Sequence, residues 1–449
     1  MDALRSNLMS FIPTLRGLRN ELGQSEAYVV VRRNIKWLLV GLAIRLILMP
    51  IAAHGDLIFL VWASSFIAFR SAVWNPYFAV AAINPAWVPN YTVPFLFLEA
   101  AVLRLASFLI PDLPAFTAQL NLGDPLNPFL AGSPYYLYPH IHELLMLAKL
   151  PYLIFDISTG IVLSLVRGGT SKSNFLFRFW MLNPVAIFAS FIFGQFDIIP
   201  TFFMVLAIYF INKLKFDAAA ISLGLGAAFK TWPLLLLPTL VLGLAHSSVE
   251  RVRLTFWGIV PFLITSLPFI TDKAYVQAVL LNEQSLRIAA ATINVGTFDM
   301  FAIFVAAYAV IVLHCFNSPR TPSVIWRWMF AILLSFYSLS LFNPQWFVWV
   351  APLAGLASAS NRKMLWYYVL LCVCFLVYTF NWGTALAGNL FAPLDPTFFR
   401  SLPAPKDLIA QIMDSNRFIL LFRSVFTGTG LWTAYLALST PNDNASSQV

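Results

Sequence analysis

Five places in this sequence put side chains able to do acid–base or anion chemistry where an apolar chain has no ordinary use for them. The first is His54-Gly55-Asp56, directly after the first long apolar run. An acid there is either solvated at the membrane surface or held, partly desolvated, as a general base. In the second case its pKa is expected to rise, and it can take a proton from a hydroxyl. The second place is "GQFDIIP", where Gln195 and Asp197 lie between two apolar runs with almost no loop. A tight turn needs only Gly194 and Pro200, so the amide and the acid call for a further role. The third is Lys230 in "AAFKTWP", far in sequence from any other charge. It can snorkel to a surface, neutralise a buried acid such as Asp197, or hold an anionic ligand such as phosphate.

The fourth place is "LFNPQWFVWVAPL", where Asn343 and Gln345 stand at a helix junction before Trp346 and Trp349. Such amides make a turn in an aromatic belt or meet a ligand. The fifth is "HELLMLAKLPYLIFDISTGIVL". Its His142, Lys149 and Asp156 recur every seven residues and so share one helix stripe. Two turns separate Lys149 from Asp156, about 10 Å. That is too far for a direct pair, so each is expected to meet a neighbouring helix.

The elements that must carry these residues are membrane helices. Hydrophobic residues make up 60% of the chain and charged residues 10%, against about 25% charged in soluble domains. Long apolar runs recur, which predicts an all-α polytopic membrane protein of about 11–13 transmembrane helices of roughly 20 residues each. The spans are expected at 36–53, 91–110, 141–167, 175–193, 197–212, 217–230, 232–246, 253–270, 298–316, 324–341, 345–360, 364–381 and 416–437. The two around Lys230 are half-length and read equally as one helix broken at Pro233. Basic segments at 1–36, 167–178, 213–215, 251–253, 320–327 and 362–363 place those loops in the cytoplasm, with the N-terminus. The loops between them, beginning with 54–90, then face outward.

This arrangement predicts a basic cytoplasmic N-terminal segment at 1–35, a single membrane domain at 36–437 and a tail at 438–449. The 54–140 region is dense in Pro, Asn, Trp and Tyr, which suits interfacial helices in the first external loop. One crossing at 91–110 cannot join two external loops, so this region must hold a further crossing, a re-entrant segment or a loop on the other side. The net charge of +9 sits between apolar runs, which argues against a nucleic-acid partner. Cys315, Cys372 and Cys374 have no metal spacing, and no phosphate-binding glycine loop or hydrolase motif is present.

The order of these motifs resembles the GT-C glycosyltransferases, which use a polyprenyl-phosphate sugar donor, and looks closest to their mannosyltransferase branch among bacterial membrane proteins. The similarity covers 36–360, and "GQFD" followed by "FKTWPLLLLP" is its most specific part. It implies that Asp56 is the catalytic base and that Gln195 and Asp197 lie near the active site. It also implies that Lys230 is a candidate contact for the donor phosphate. His54, Asn343 and Gln345 are expected from their positions to be further substrate contacts. The place of the Tyr-Pro-Pro run of many relatives reads "PNYTVPFLF" here, without the double proline. The implied partners are a polyprenyl-phosphate sugar, a glycolipid or glycan acceptor, and membrane lipid. The implied location is a bacterial plasma membrane. No cofactor is implied, since the donor is already activated, and a divalent metal stays open. Inversion at the anomeric carbon follows from the resemblance alone.

Two rival classes use similar parts. A lipid or glycan transporter also has broken helices and charges within the membrane, but it should repeat its polar helices, and no repeat is found. A polysaccharide polymerase or ligase would be expected to carry an external loop rich in Arg and His, whereas 271–297 offers only Lys273 and Arg287.

Overall fold

A computed structural model describes residues 26–70, 73–120, 134–167, 170–296 and 299–439. Most of the expected N-terminal segment (1–25) and C-terminal tail (440–449), and part of the Pro- and Tyr-rich stretch (121–133), lie outside the described residues. Within them the chain is almost wholly helical, apart from a two-stranded antiparallel hairpin of Thr292–Val295 and Asp299–Ala302. Five helical segments have the length and apolar composition to cross a membrane: Ile141–Val166, Ser171–Phe193, Ser248–Phe269, Pro322–Leu339 and Lys363–Leu386. Shorter apolar helices at Gly55–Phe69, Ile198–Asn212, Phe216–Phe229, Trp232–Leu244 and Ile303–Asn317 pack among them. The protein is a polytopic α-helical membrane protein with one large apolar core.

In three places the structure departs from the expected spans. The segment after the first apolar helix (Ile35–Leu48) is itself an apolar helix, Gly55–Phe69, packed against Val93–Ala106. The hairpin at 292–302 occupies the start of the expected 298–316 span, and the helix there begins at Ile303. The apolar run ending at Phe193 is interrupted. Asn183 accepts from the backbone N–H groups of Val185 and Ala186, with Pro184 in the first turn, and 188–193 widens into a π-helix.

Interruptions recur wherever a polar motif stands. The π-helix ends at Gly194 with φ of +85°, a left-handed conformation that favours glycine. A Cβ there would also meet Leu57 Cδ2 at 2.8 Å. The helix Phe216–Phe229 stops at Lys230, whose backbone is extended, and a 3₁₀ turn at Trp232–Leu235 precedes Leu237–Leu244. Breaking the helix frees backbone and side chain to line a cavity, which a continuous helix in lipid would not do.

The stripe of His142, Lys149 and Asp156 meets neighbouring segments, as its spacing requires. Asp156 Oδ2 accepts from Arg45 Nε at 2.5 Å, with both side chains fully buried. Arg45 Nη1 also donates to the carbonyls of Gly41 (2.9 Å) and Met181 (2.8 Å), so one guanidinium joins three segments.

Candidate active site

Asp56 stands in the first turn of Gly55–Phe69 because His54 caps that helix. His54 Nδ1 accepts from the Asp56 backbone N–H at 3.2 Å and lies 3.5 Å from Asp56 Oδ1. The same ring nitrogen thus caps the helix and faces the carboxylate. Its ring stacks on Phe193 at 4.2 Å between centroids, which ties the cap to the "GQFD" turn. Gln195, fully buried, donates through Nε2 to Asp56 Oδ2 and to the Tyr91 hydroxyl, each at 3.2 Å.

The Asp56 carboxylate is anchored by the Gln195 amide and faces His54, and its side chain keeps 25% exposure, enough to meet a ligand.

Asp197 and Lys230 form one unit. Lys230 Nζ donates to Asp197 Oδ1 at 2.8 Å and to Oδ2 at 3.0 Å, and Trp349 Nε1 donates to Oδ1 at 2.7 Å. Of the roles open to Lys230, neutralising Asp197 is thus realised. Asp197 is sealed, whereas the lysine side chain remains 16% exposed. The ammonium lies 5.3–6.0 Å from the ring centres of Phe196, Trp346, Trp349 and Tyr91. An aromatic collar of this kind favours a cation electrostatically and keeps the pair in place.

Two cavities meet at this point. One, of about 300 Å³, is lined by Lys230, Gln345, Trp232, Trp346 and Trp349 together with apolar side chains. The other, of about 560 Å³, is lined by Asp56, Trp87 and the amides of Gln277 and Asn343. Asn90, Tyr91, Asn282 and Gln284 belong to both linings, so the cavities share a wall. Of the residues singled out in the sequence, Asp56, Lys230, Asn343 and Gln345 face these spaces. His54, Gln195 and Asp197 stand behind them as supports. The Gln345 Oε1 is buried without a hydrogen-bond partner among the described residues, beside a cavity where a ligand donor would satisfy it.

Two participants were not picked out by sequence reasoning. Tyr91 sits in "PNYTVPFLF" and reaches both cavities, with its backbone carbonyl held by the Tyr77 hydroxyl at 2.6 Å. Arg287 lies 5.7 Å from the Trp346 ring centre and donates to Asn343 Oδ1, while Asn343 Nδ2 donates to Gln284 Oε1 at 3.2 Å. The indole of Trp346 is therefore flanked by two cations, Lys230 and Arg287. The only hint was that Arg287 is one of two cations in its loop. Among the described residues, no three His, Cys, Asp or Glu side chains gather as a metal-ligand set.

The fold and site define a membrane protein whose buried polar and charged side chains converge at helix breaks around paired cavities. No protein-family model matches the chain. Among characterised proteins it is similar to GPI mannosyltransferase 1 of Debaryomyces hansenii, 31% identical over 133 residues, or 26% of this chain and 32% of the relative. It is also similar to GPI mannosyltransferase 1 of Kluyveromyces lactis, 28% identical over 154 residues, or 34% of this chain and 36% of the relative. The likeness thus spans about a third of each relative.

Proposed function

We propose that this protein is a membrane mannosyltransferase, moving mannose from a polyprenyl-phosphate donor to a hydroxyl of a glycolipid or glycan. The observation that carries the reading is the pair of cavities with a common wall, one opening on the Asp56 carboxylate and the other on the Lys230 ammonium. The similarity to two mannosyltransferases supports the sugar and the reaction class.

In this reading the acceptor sugar occupies the larger cavity. Its side-chain amides and Trp87 suit hydroxyl groups and a sugar face. The donor headgroup occupies the smaller, aromatic cavity, with Lys230 in its lining on the phosphate side and Arg287 behind Trp346. Asp56 accepts the proton of the acceptor hydroxyl as its oxygen bonds to the anomeric carbon. The bond from that carbon to the phosphate oxygen breaks, and the leaving polyprenyl phosphate departs as an anion against the two cations. Attack from the Asp56 side with departure on the Lys230 side gives inversion. Both cavities then face the non-cytoplasmic side, with the basic N-terminal segment opposite.

The test is transfer of labelled mannose from polyprenyl-phosphate mannose in membranes, with expression of each variant checked. Asp56→Asn keeps the shape and the Gln195 contact but cannot accept a proton. Transfer is expected to fall by at least about a hundred-fold, the lower end for general-base catalysis, with donor affinity little changed. Unaltered turnover in Asp56→Asn would remove the reading and favour a transporter or a scaffold.

A further inference from the structure

The stripe of His142, Lys149 and Asp156 has no part in the reaction as described, yet all three side chains grip the same stretch of chain. Asp156 holds Arg45 in the last turn of the first helix. His142 Nδ1 lies 2.9 Å from the carbonyl of Pro50. Lys149 Nζ donates to the carbonyls of Met49 (2.8 Å) and Ala52, and to that of Phe191 (3.0 Å). The gripped stretch, 45–52, leads directly into His54 and Asp56.

Lys149 differs from the other two in reaching a second segment. Phe191 belongs to the π-helix that delivers Gly194 and Gln195, and the Lys149 Cε lies close to where a Cβ on Gly194 would stand, at 3.2 Å. All three ammonium protons go to carbonyls, and no carboxylate among the described residues is bonded to this fully buried charge. The carbonyls lie at or just beyond the C-terminal ends of two helices, where unpaired carbonyls and the helix dipole both favour a cation. One charge thus fixes the exit of the first helix relative to the end of the π-helix. The His54 N–H to Phe193 carbonyl bond, at 2.9 Å, closes the same junction from the other side.

We propose that Lys149 is a positioning residue that sets the base Asp56 against its hydrogen-bond partner Gln195, and through it against Tyr91 on the wall between the cavities. Asp56 and Gln195 come from segments 139 positions apart, and a single 3.2 Å bond between their side chains would not by itself hold the carboxylate on the acceptor. Lys149, together with the His54 N–H to Phe193 carbonyl bond, supplies the cross-link. The proposal rests on the transferase reading, since it assigns a purpose to the junction rather than a reaction to the lysine.

The experiment uses full-length protein purified in detergent, with turnover counted per folded molecule. Lys149→Gln keeps uncharged donors for two of the three carbonyls, and Lys149→Arg keeps the charge with a different reach. Lys149→Gln is expected to lower kcat by about ten- to a hundred-fold, the scale of misplacing a reacting group, with both KM values within about threefold. On an Asp56→Asn background the same change should produce little further loss, because there is no base left to misplace. Lys149→Arg should recover part of the loss. An unchanged kcat, a loss that multiplies fully with Asp56→Asn, or failure of both variants to fold would overturn the proposal and leave Lys149 a structural staple. Wild-type protein without transfer would instead sink the transferase reading, and the positioning role with it.

Discussion

Among the described residues, two Lys/Arg–carboxylate pairs lie in the apolar interior, and they differ in what surrounds them. Arg45–Asp156 is closed on every side, with both side chains fully buried and the guanidinium bonded to two further carbonyls. Lys230–Asp197 seals only its acid; the lysine emerges among four aromatic rings into a cavity. Both pairs solve the same problem, since a lone charge in a low-dielectric interior is heavily penalised. Only the second leaves a donor face turned toward a space that can hold a ligand. A charge pair in a membrane helix is therefore not by itself a sign of function; an opening beside it is.

The largest effect that separates the two pairs is on stability. Arg45→Met strands a fully buried carboxylate and is expected to destabilise the fold by about 3–5 kcal/mol, read by thermal unfolding in detergent. A smaller loss would mean that the helix carrying Asp156 tolerates an unpaired acid and that the two pairs differ less than their burial implies.

Lys230→Met should show the opposite balance. Asp197 keeps its Trp349 donor, so the fold should suffer less, while transfer falls by more than about ten-fold as expected for losing a charge aimed at a developing anion. Combining Lys230→Met with Asp197→Asn should restore stability without restoring transfer. Recovery of transfer in the double variant would make this pair structural, like the first.

Arg287→Met tests the second cation beside Trp346. It should raise KM for the donor by roughly two- to thirty-fold, the scale of a cation-dependent contact, with little change in melting temperature. No change in donor KM would confine the anion-binding role to Lys230.

The membrane class and most of the polar residues that line or back the two cavities were legible in the sequence, because the cost of a polar group among apolar ones is a local property. Asp56, Asp197 and Lys230 stand out wherever they fold to, and Pro233 with Lys230 announces a broken helix. The seven-residue stripe likewise announced that His142, Lys149 and Asp156 share a face. Partner choice was not legible, because it depends on how helices far apart in sequence pack. Nothing near Asp156 names Arg45, and nothing near Lys149 says that it takes three carbonyls rather than an acid. The sequence could offer Asp197 to Lys230 only as one of three roles. The tertiary structure also decided that Tyr91 stands between two cavities, that Arg287 reaches Trp346, and that Gln195 reaches Asp56. Each of these turns on distances of a few ångströms between segments, where electrostatic energies change sharply and the one-dimensional order of residues carries no measure of separation.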